Sequence, residues 1–225
     1  MPHFDIIKTN RPRETFRVSK IEADFDVKPE HSSERFTGDI IYPAGGWNIG
    51  VIVGGSGTGK SSIAKEIYSE EYINGFEYSA DSVIDDMPKC SIDEISRMFY
   101  AVGFGSVPSW LKPYSVLSNG EKMRCDLARA LLERDFVCFD EFTSVVDRQV
   151  AQTACIAVNK AVKRLNKKFV AVSCHYDILE WLQPDWVFDT NTMESFFGTA
   201  HSRTKNLWSE SVAEKSGQNL GVIII

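Results

Sequence analysis

No stretch of the 225-residue chain approaches the ~18 consecutive apolar residues of a membrane-crossing helix, so any membrane role requires a separate subunit. The opening residues, MPHFDIIKTNRPRETF, lack the apolar core of a secretion signal, and the expected location is the cytoplasm. Five cysteines, Cys90, Cys125, Cys138, Cys155 and Cys174, are too few, too scattered and too odd in number for a disulfide framework. Nor do they have metal-ligand spacing, and they read as reduced thiols. An excess of positive charge is also missing: the net charge is −6 and the pI near 5.3, which argues against wholesale wrapping of nucleic acid while leaving room for a local basic patch. Internal repeats and low-complexity tracts are absent, which excludes repeat arrays and fibrous designs. With 43% hydrophobic and 25% charged residues, the chain has the make-up of a globular protein with one substantial domain.

The most specific local pattern is strand, glycine loop, helix. Ile49-Gly50-Val51-Ile52-Val53 is a buried strand by composition, and Gly54-Gly55-Ser56-Gly57-Thr58-Gly59-Lys60-Ser61 follows it directly. Ile63 and Ile67 then stand at helical spacing. This is the context in which G-x-x-x-x-G-K-[ST] acts as a phosphate loop. Its glycines admit close backbone N–H approach to phosphate oxygens, Lys60 brings a cation, and Ser61 offers a hydroxyl to Mg²⁺.

A second dense region runs from Leu117 to Asp147. Ser118 and Glu121 form a capping box that starts a helix, with Met123, Leu127 and Leu131 on its apolar face and Arg124, Asp126, Arg129 and Glu133 expected off it. The N-terminus of that helix, beside the small Ser118 and Gly120, suits a phosphate. Phe136-Val137-Cys138-Phe139 reads as a strand covered on both faces, and Asp140 and Glu141 fall at its C-terminal end, where open α/β sheets place their chemistry. Taken alone the two acids admit either a metal ligand plus a base for water, or a helix cap plus a solvated acid.

Elsewhere, residues 1 to 48 alternate polar and apolar residues between breakers and are expected to form an antiparallel β layer, with strands at Phe16-Arg17-Val18 and Phe36 to Tyr42. Lys8, Arg11, Arg13, Arg17 and Lys20 read there as charges protecting an edge strand. A further strand is expected within Phe76 to Ile84 and a loop at Asp85-Asp86. Ser91 and Glu94 cap a helix to Val102, with Ile92, Ile95, Met98 and Phe99 on one face, and Gly103 to Pro113 is a connector. Val150, Ala154, Ala157, Ala161 and Leu165 mark a helix ending in Lys160, Lys163, Arg164, Lys167 and Lys168. Phe169 to Ser173 is another buried strand, with His175 just beyond it, and Tyr176 to Leu182 is a short helix. Signals fade after Ser195, leaving a helix near Trp208 to Lys215 and an apolar end, Val222 to Ile225.

Together the phosphate loop, LSNGEK (117–122), LARALL (127–132), the strand ending in Asp140-Glu141, SVVD (144–147) and His175 resemble, in identity and order, the nucleotide-binding domain of ABC-type ATPases over residues 35 to 190. The resemblance implies an α/β P-loop NTPase fold: a mainly parallel sheet flanked by helices, an N-terminal antiparallel β layer and a reduced helical subdomain. It implies that the backbone of Gly54, Gly55, Ser56, Gly57, Thr58, Gly59, Lys60, Ser61 and Ser62 cradles ATP, with Mg²⁺ on Ser61 and, through water, on Asp140. Glu141 would polarise the attacking water and His175 contact the γ-phosphate, making Lys60, Glu141 and His175 the catalytic set. Ser118, Gly120 and Asp147 would act in trans, on the ATP of a second copy in a head-to-tail homodimer.

Three departures qualify this. The signature reads LSNGE, the arm between Lys60 and Leu117 is short, and no glutamine precedes Gln149, so the family's glutamine loop is absent as such. Asp85 or Asp86 stands near its place, Asp85 being a further candidate metal contact. Phe25, His31 and Phe36 are open candidates for stacking adenine. The runs WNIGVIVGGSGTGKSSIA, PSWLKPYSVLSNGEK, FDEFTSVVDRQVA and VSCHYDILEWLQPDWVFD look closer to soluble, non-transporter ABC ATPases of bacteria and mobile elements, some fused to an acetyltransferase domain. The expected division is a β layer (1–48), an ATPase core (49–84 and 136–195), a helical subdomain with the signature (85–135) and a tail (196–225). The leading expectation is an ATP-hydrolysing dimerisation switch for a soluble protein partner. A transporter subunit, a nucleic-acid clamp using the basic N-terminal strands and the Lys160 to Lys168 cluster, and a slow ATP-binding scaffold are the alternatives.

Overall fold

The computed structural model describes residues 1–10, 15–26 and 32–197. In chain order the elements are β1 (His3–Asn10), α1 (Phe16–Phe25), β2 (Ser32–Asp39), β3 (Ile49–Val53), α2 (Lys60–Ile67), β4 (Tyr72–Ile73), α3 (Ile92–Ala101), α4 (Val107–Trp110) and α5 (Asn119–Glu133). There follow β5 (Phe136–Phe139), α6 (Arg148–Leu165), β6 (Lys168–Ser173), α7 (Ile178–Leu182), β7 (Trp186–Asp189) and β8 (Glu194–Phe197). The expected helix at Trp208 to Lys215 and the apolar end at Val222 to Ile225 lie outside the described residues.

Six strands form one sheet in the order β4-β5-β6-β3-β7-β8, parallel except for the edge strand β8, which pairs antiparallel with β7. Because side chains alternate across a strand, β3 feeds two cores. Ile49, Val51 and Val53 face α3, α5, α6 and α7, while Ile52 faces α2 and the hairpin. Gly50 lies on that second side, where a Cβ would come within 2.1 Å of the Trp186 indole, so only glycine admits the ring. β1 and β2 pair antiparallel as a separate two-stranded hairpin, with Phe4, Phe36 and Ile40 buried against α2. The α/β architecture, the mainly parallel sheet and the N-terminal antiparallel hairpin are those expected.

Four local expectations are corrected. Phe16-Arg17-Val18 begins a helix, not a strand: the Thr15 hydroxyl caps it by accepting from the Val18 N–H at 3.3 Å, and Val18, Ile21 and Phe25 share the i, i+3, i+7 spacing of a helix face. No strand forms within Phe76 to Ile84. The chain pairs with β5 earlier, at Tyr72–Ile73, then turns away at Gly75 with φ +92°, and the Asp86 carboxylate takes the N–H groups of Ser79 and Ala80. Asp126, expected off the apolar face of α5, is buried, because the hydroxyls of Tyr78 and Tyr114 donate to its two oxygens at 2.7 and 2.8 Å. Ile92, expected on the face of α3 that carries Ile95, Met98 and Phe99, is 69% exposed, since it lies in the first turn before the helix meets the core.

Candidate functional site

Three parallel strands, β3, β5 and β6, end side by side, and the residues that follow them face one cleft of about 290 Å³. From the loop after β3 come Ser56, Gly57 and Gly59, and from the start of α2 come Lys60 and Ser61. Asp140, Glu141 and Ser144 enter from beyond β5, and Ser173 and Cys174 from the end of β6.

The phosphate loop is held in shape from both sides. Thr58 Oγ1 donates to the Gly55 carbonyl at 2.9 Å and lies 2.5 Å from Thr190 Oγ1, while the Gly55 N–H donates to Asn191 Oδ1 at 3.1 Å. Gly59 has φ +87°, and a Cβ there would meet the Phe36 ring at 2.9 Å. Two constraints, backbone and ring, therefore require glycine at this position. Having no side chain, Gly59 also places no cap over the first turn of α2, and an uncapped helix N-terminus presents its amide dipoles to an anion. Lys60 bends back to donate to the Gly55 carbonyl. Burial lowers its affinity for a proton, an effect opposed by Cys174 and Asp140 nearby.

Asp140 is 6% exposed and is held by donors on three elements. Ser61 Oγ donates to Oδ1 at 3.2 Å, the Glu141 N–H donates to Oδ1 at 2.9 Å, and the Tyr72 hydroxyl donates to Oδ2. Burial, then the bond to Asp140, pushes the Tyr72 phenol well above its ordinary range. The Ser61 hydroxyl and the Asp140 carboxylate are hard oxygen donors converging on one point, which matches the preference of Mg²⁺ for one or two protein oxygens plus phosphates and waters. No cluster of three or more His, Cys, Asp or Glu able to hold a metal alone exists among the described residues. Glu141 is exposed with φ +49°, a conformation imposed as the chain turns sharply after β5.

Of the other candidates, His175 is half-buried two residues past β6, its N–H donating to Ser173 Oγ at 3.2 Å. Ser118 and Gly120 stand apart from the cleft, at the start of α5. There Ser118 Oγ accepts from the Glu121 N–H at 3.3 Å and donates to Glu121 Oε2 at 2.9 Å, while Ser109 donates to Oε1 at 2.6 Å. These bonds, that of Ser109 first, hold the Glu121 carboxyl below its ordinary range. Asp147 caps α6 by accepting from the Gln149 and Val150 N–H groups. Asp85 accepts from Ser82 Oγ and does not line the cleft. The polar residue that leaves β4 beside Asp140 is Asn74, one position past Ile73, whose carbonyl accepts the Asp140 N–H at 2.9 Å. Phe36 is buried under the phosphate loop, Phe25 is 69% exposed at the end of α1, and His31 lies outside the described residues.

Sequence reasoning placed neither Lys8 nor Tyr72 at the site. Lys8, read as an edge charge, lines the cleft from β1. Tyr72 sits in a strand of two residues, too short to show a period. It also missed Thr190 and Asn191 after β7, although Trp186-Val187-Phe188-Asp189 repeats the apolar-run-plus-acid pattern of Phe136 to Asp140.

No protein-family model matches the chain, and no curated protein matches it in sequence. Solved structures match it in fold. A bacterial ABC transporter cassette in dimeric form is 14% identical, covers 69% of this chain and 87% of its own, and has a TM-score of 0.55. A dimeric post-hydrolysis state of an ATP-binding cassette bound to ADP and Pi is 13% identical over 72% of this chain and 89% of its own, with a TM-score of 0.57. The cbiO1 protein of Clostridium perfringens, part of the ABC transporter complex cbiONQ, is 19% identical over 82% and 87%, with a TM-score of 0.57. The chain has the fold of an ABC-type ATP-binding cassette.

Proposed function

We propose that this chain binds MgATP in the cleft, pairs head-to-tail with a second copy around two nucleotides, and hydrolyses them to switch a soluble protein partner in the cytoplasm. The observation that carries the reading is the convergence of Lys60 and Ser61, at the uncapped start of α2, with Asp140 only 3.2 Å from Ser61. The loop from Gly54 to Ser62 wraps the phosphates with backbone N–H groups. Lys60 leaves the Gly55 carbonyl for the β and γ phosphates, where an anion restores the proton affinity that burial removes. Ser61 and, through water, Asp140 hold Mg²⁺, which neutralises phosphate charge when bound. Glu141 orients and polarises the attacking water, and His175 steadies the γ-phosphate.

Ser118, Gly120 and Asp147 lie away from their own cleft, which supports their service to the nucleotide of the opposing copy. Two solved cassettes of the same fold are dimeric, one of them in a post-hydrolysis state bound to ADP and Pi. A second reading, the ATP-binding subunit of a transporter, is favoured by the fold match to cassettes of ABC transporters; stable co-purification with a membrane protein distinguishes it.

The test is steady-state hydrolysis. The protein should turn over ATP only with a divalent cation, and Glu141→Gln should lower the rate by ~10²–10⁴-fold, the usual cost of removing a general base. A Gln variant as fast as the parent sinks the role given to Glu141.

A further inference from the structure

We propose that Tyr72 is a positioning residue for the cation site: its hydroxyl fixes the rotation of the Asp140 carboxylate so that Oδ1 alone faces Ser61 and the metal. This rests on the nucleotide-site reading above and adds a residue that the phosphate loop and the acids do not imply.

The geometry starts from strand pairing. β4 is only two residues long, but its register on β5 sets Tyr72 beside Cys138 and Ile73 beside Phe139, and the next ladder bond runs from the Asp140 N–H to the Ile73 carbonyl. Tyr72 thus lies two positions back from the acid on the neighbouring strand, close enough for its phenol to reach Oδ2. The ring is anchored: it packs on the core under α2, and the Lys65 ammonium stands 5.1 Å from its centroid. Lys65 belongs to the helix that carries Lys60 and Ser61. One ring therefore touches both the helix that supplies the hydroxyl ligand and the strand end that supplies the carboxylate.

The two oxygens of Asp140 are consequently unequal. Oδ2 is engaged by Tyr72, while Oδ1 accepts from Ser61 and the Glu141 N–H at the cleft. The terminal torsion of an aspartate is broad and poorly defined by sterics. Without the phenol, the carboxylate can rotate, turn Oδ2 to Ser61, or bridge both oxygens toward the cleft. Mg²⁺ demands near-ideal octahedral geometry and keeps several waters, so a carboxylate of uncertain angle holds the metal's water less well. Partners that orient a ligand typically matter by 10–100-fold in metal affinity.

The experiment compares ADP affinity with and without a divalent cation, Mn²⁺ standing in for Mg²⁺, by displacement of a fluorescent ADP analogue and by the electron paramagnetic resonance signal of free Mn²⁺. Tyr72 is half-buried on an edge strand and Tyr72→Phe removes one oxygen, so the fold is retained; a thermal melt verifies this. In the parent, Mn²⁺ should strengthen ADP binding. In Tyr72→Phe that enhancement should fall by ~10–100-fold, with ADP affinity in EDTA changed less than about two-fold. In an Asp140→Ala background the Tyr72 change should add nothing, because the group it orients is gone. An unchanged enhancement in Tyr72→Phe, or an equal loss in both backgrounds, overturns the positioning role alone. A parent protein that binds no ADP, or binds it equally with and without Mn²⁺, overturns the nucleotide-site reading and this inference with it.

Discussion

α2 and α5 each begin beside residues proposed to meet phosphate, yet their N-termini are built in opposite ways. α2 opens on Gly59, which carries no side chain to satisfy the first turn. α5 opens on Ser118, and its first turn is closed by Glu121, which Ser109 braces from α4. The same device, a helix end with exposed amide dipoles, is left for an outside anion in one case and filled by an internal carboxylate in the other. A phosphate arriving at α2 meets a cation, Lys60; one arriving at Ser118 meets a carboxylate already in place. Under the proposed function the cleft would hold nucleotide by itself, whereas the start of α5, its first turn already filled by Glu121, would serve only where ATP has been bound by another copy.

Substitutions at the two ends should separate them. Lys60→Ala should weaken ATP binding to the monomer by ~10–100-fold, the range of about 1.5–3 kcal/mol for a lost hydrogen bond to a charged group, while Ser118→Ala leaves monomer binding as it was. Titration calorimetry at concentrations below dimerisation reads both, and equal losses would erase the distinction. A smaller effect is expected from Glu121→Gln. The amide keeps the capping box but removes the charge, and the ATP-dependent dimer should tighten by about two- to five-fold, since charges at helix termini contribute about 0.3–1 kcal/mol. Because Ser109 and Ser118 hold the Glu121 carboxyl below its ordinary range, it stays ionised at neutral pH, and its contribution to α5 is present above its unfolded pKa and lost as pH falls through the lower folded value. A Gln variant whose dimer is weaker than the parent's would show that the carboxylate helps the contact.

What was legible in the sequence was what local chemistry decides. The phosphate loop, the buried strands at Ile49 to Val53, Phe136 to Phe139 and Phe169 to Ser173, and both capping boxes depend on neighbours within a few residues. What escaped depends on distant partners. Asp126 looks like a surface acid until Tyr78, 48 positions away, and Tyr114, 12 positions away, close over it. β4 is a strand only because β5 pairs with it, and Tyr72 matters only because that pairing sets it beside Asp140. Phe16-Arg17-Val18 satisfies a period of two as readily as the start of a helix, and the Thr15 cap decides the matter. Asp85 fails to reach the cleft for a related reason: the chain turns away after β4 at Gly75, and Asp85 ends in a local bond with Ser82.

The most direct measurement is the mass of Glu141→Gln in solution, by light scattering, with and without saturating MgATP. A cleft that binds ATP but cannot complete hydrolysis, facing a Ser118 end that finds its phosphate only on a second copy, predicts a monomer without nucleotide and a dimer with it. A variant that binds MgATP and remains a monomer contradicts the head-to-tail assembly.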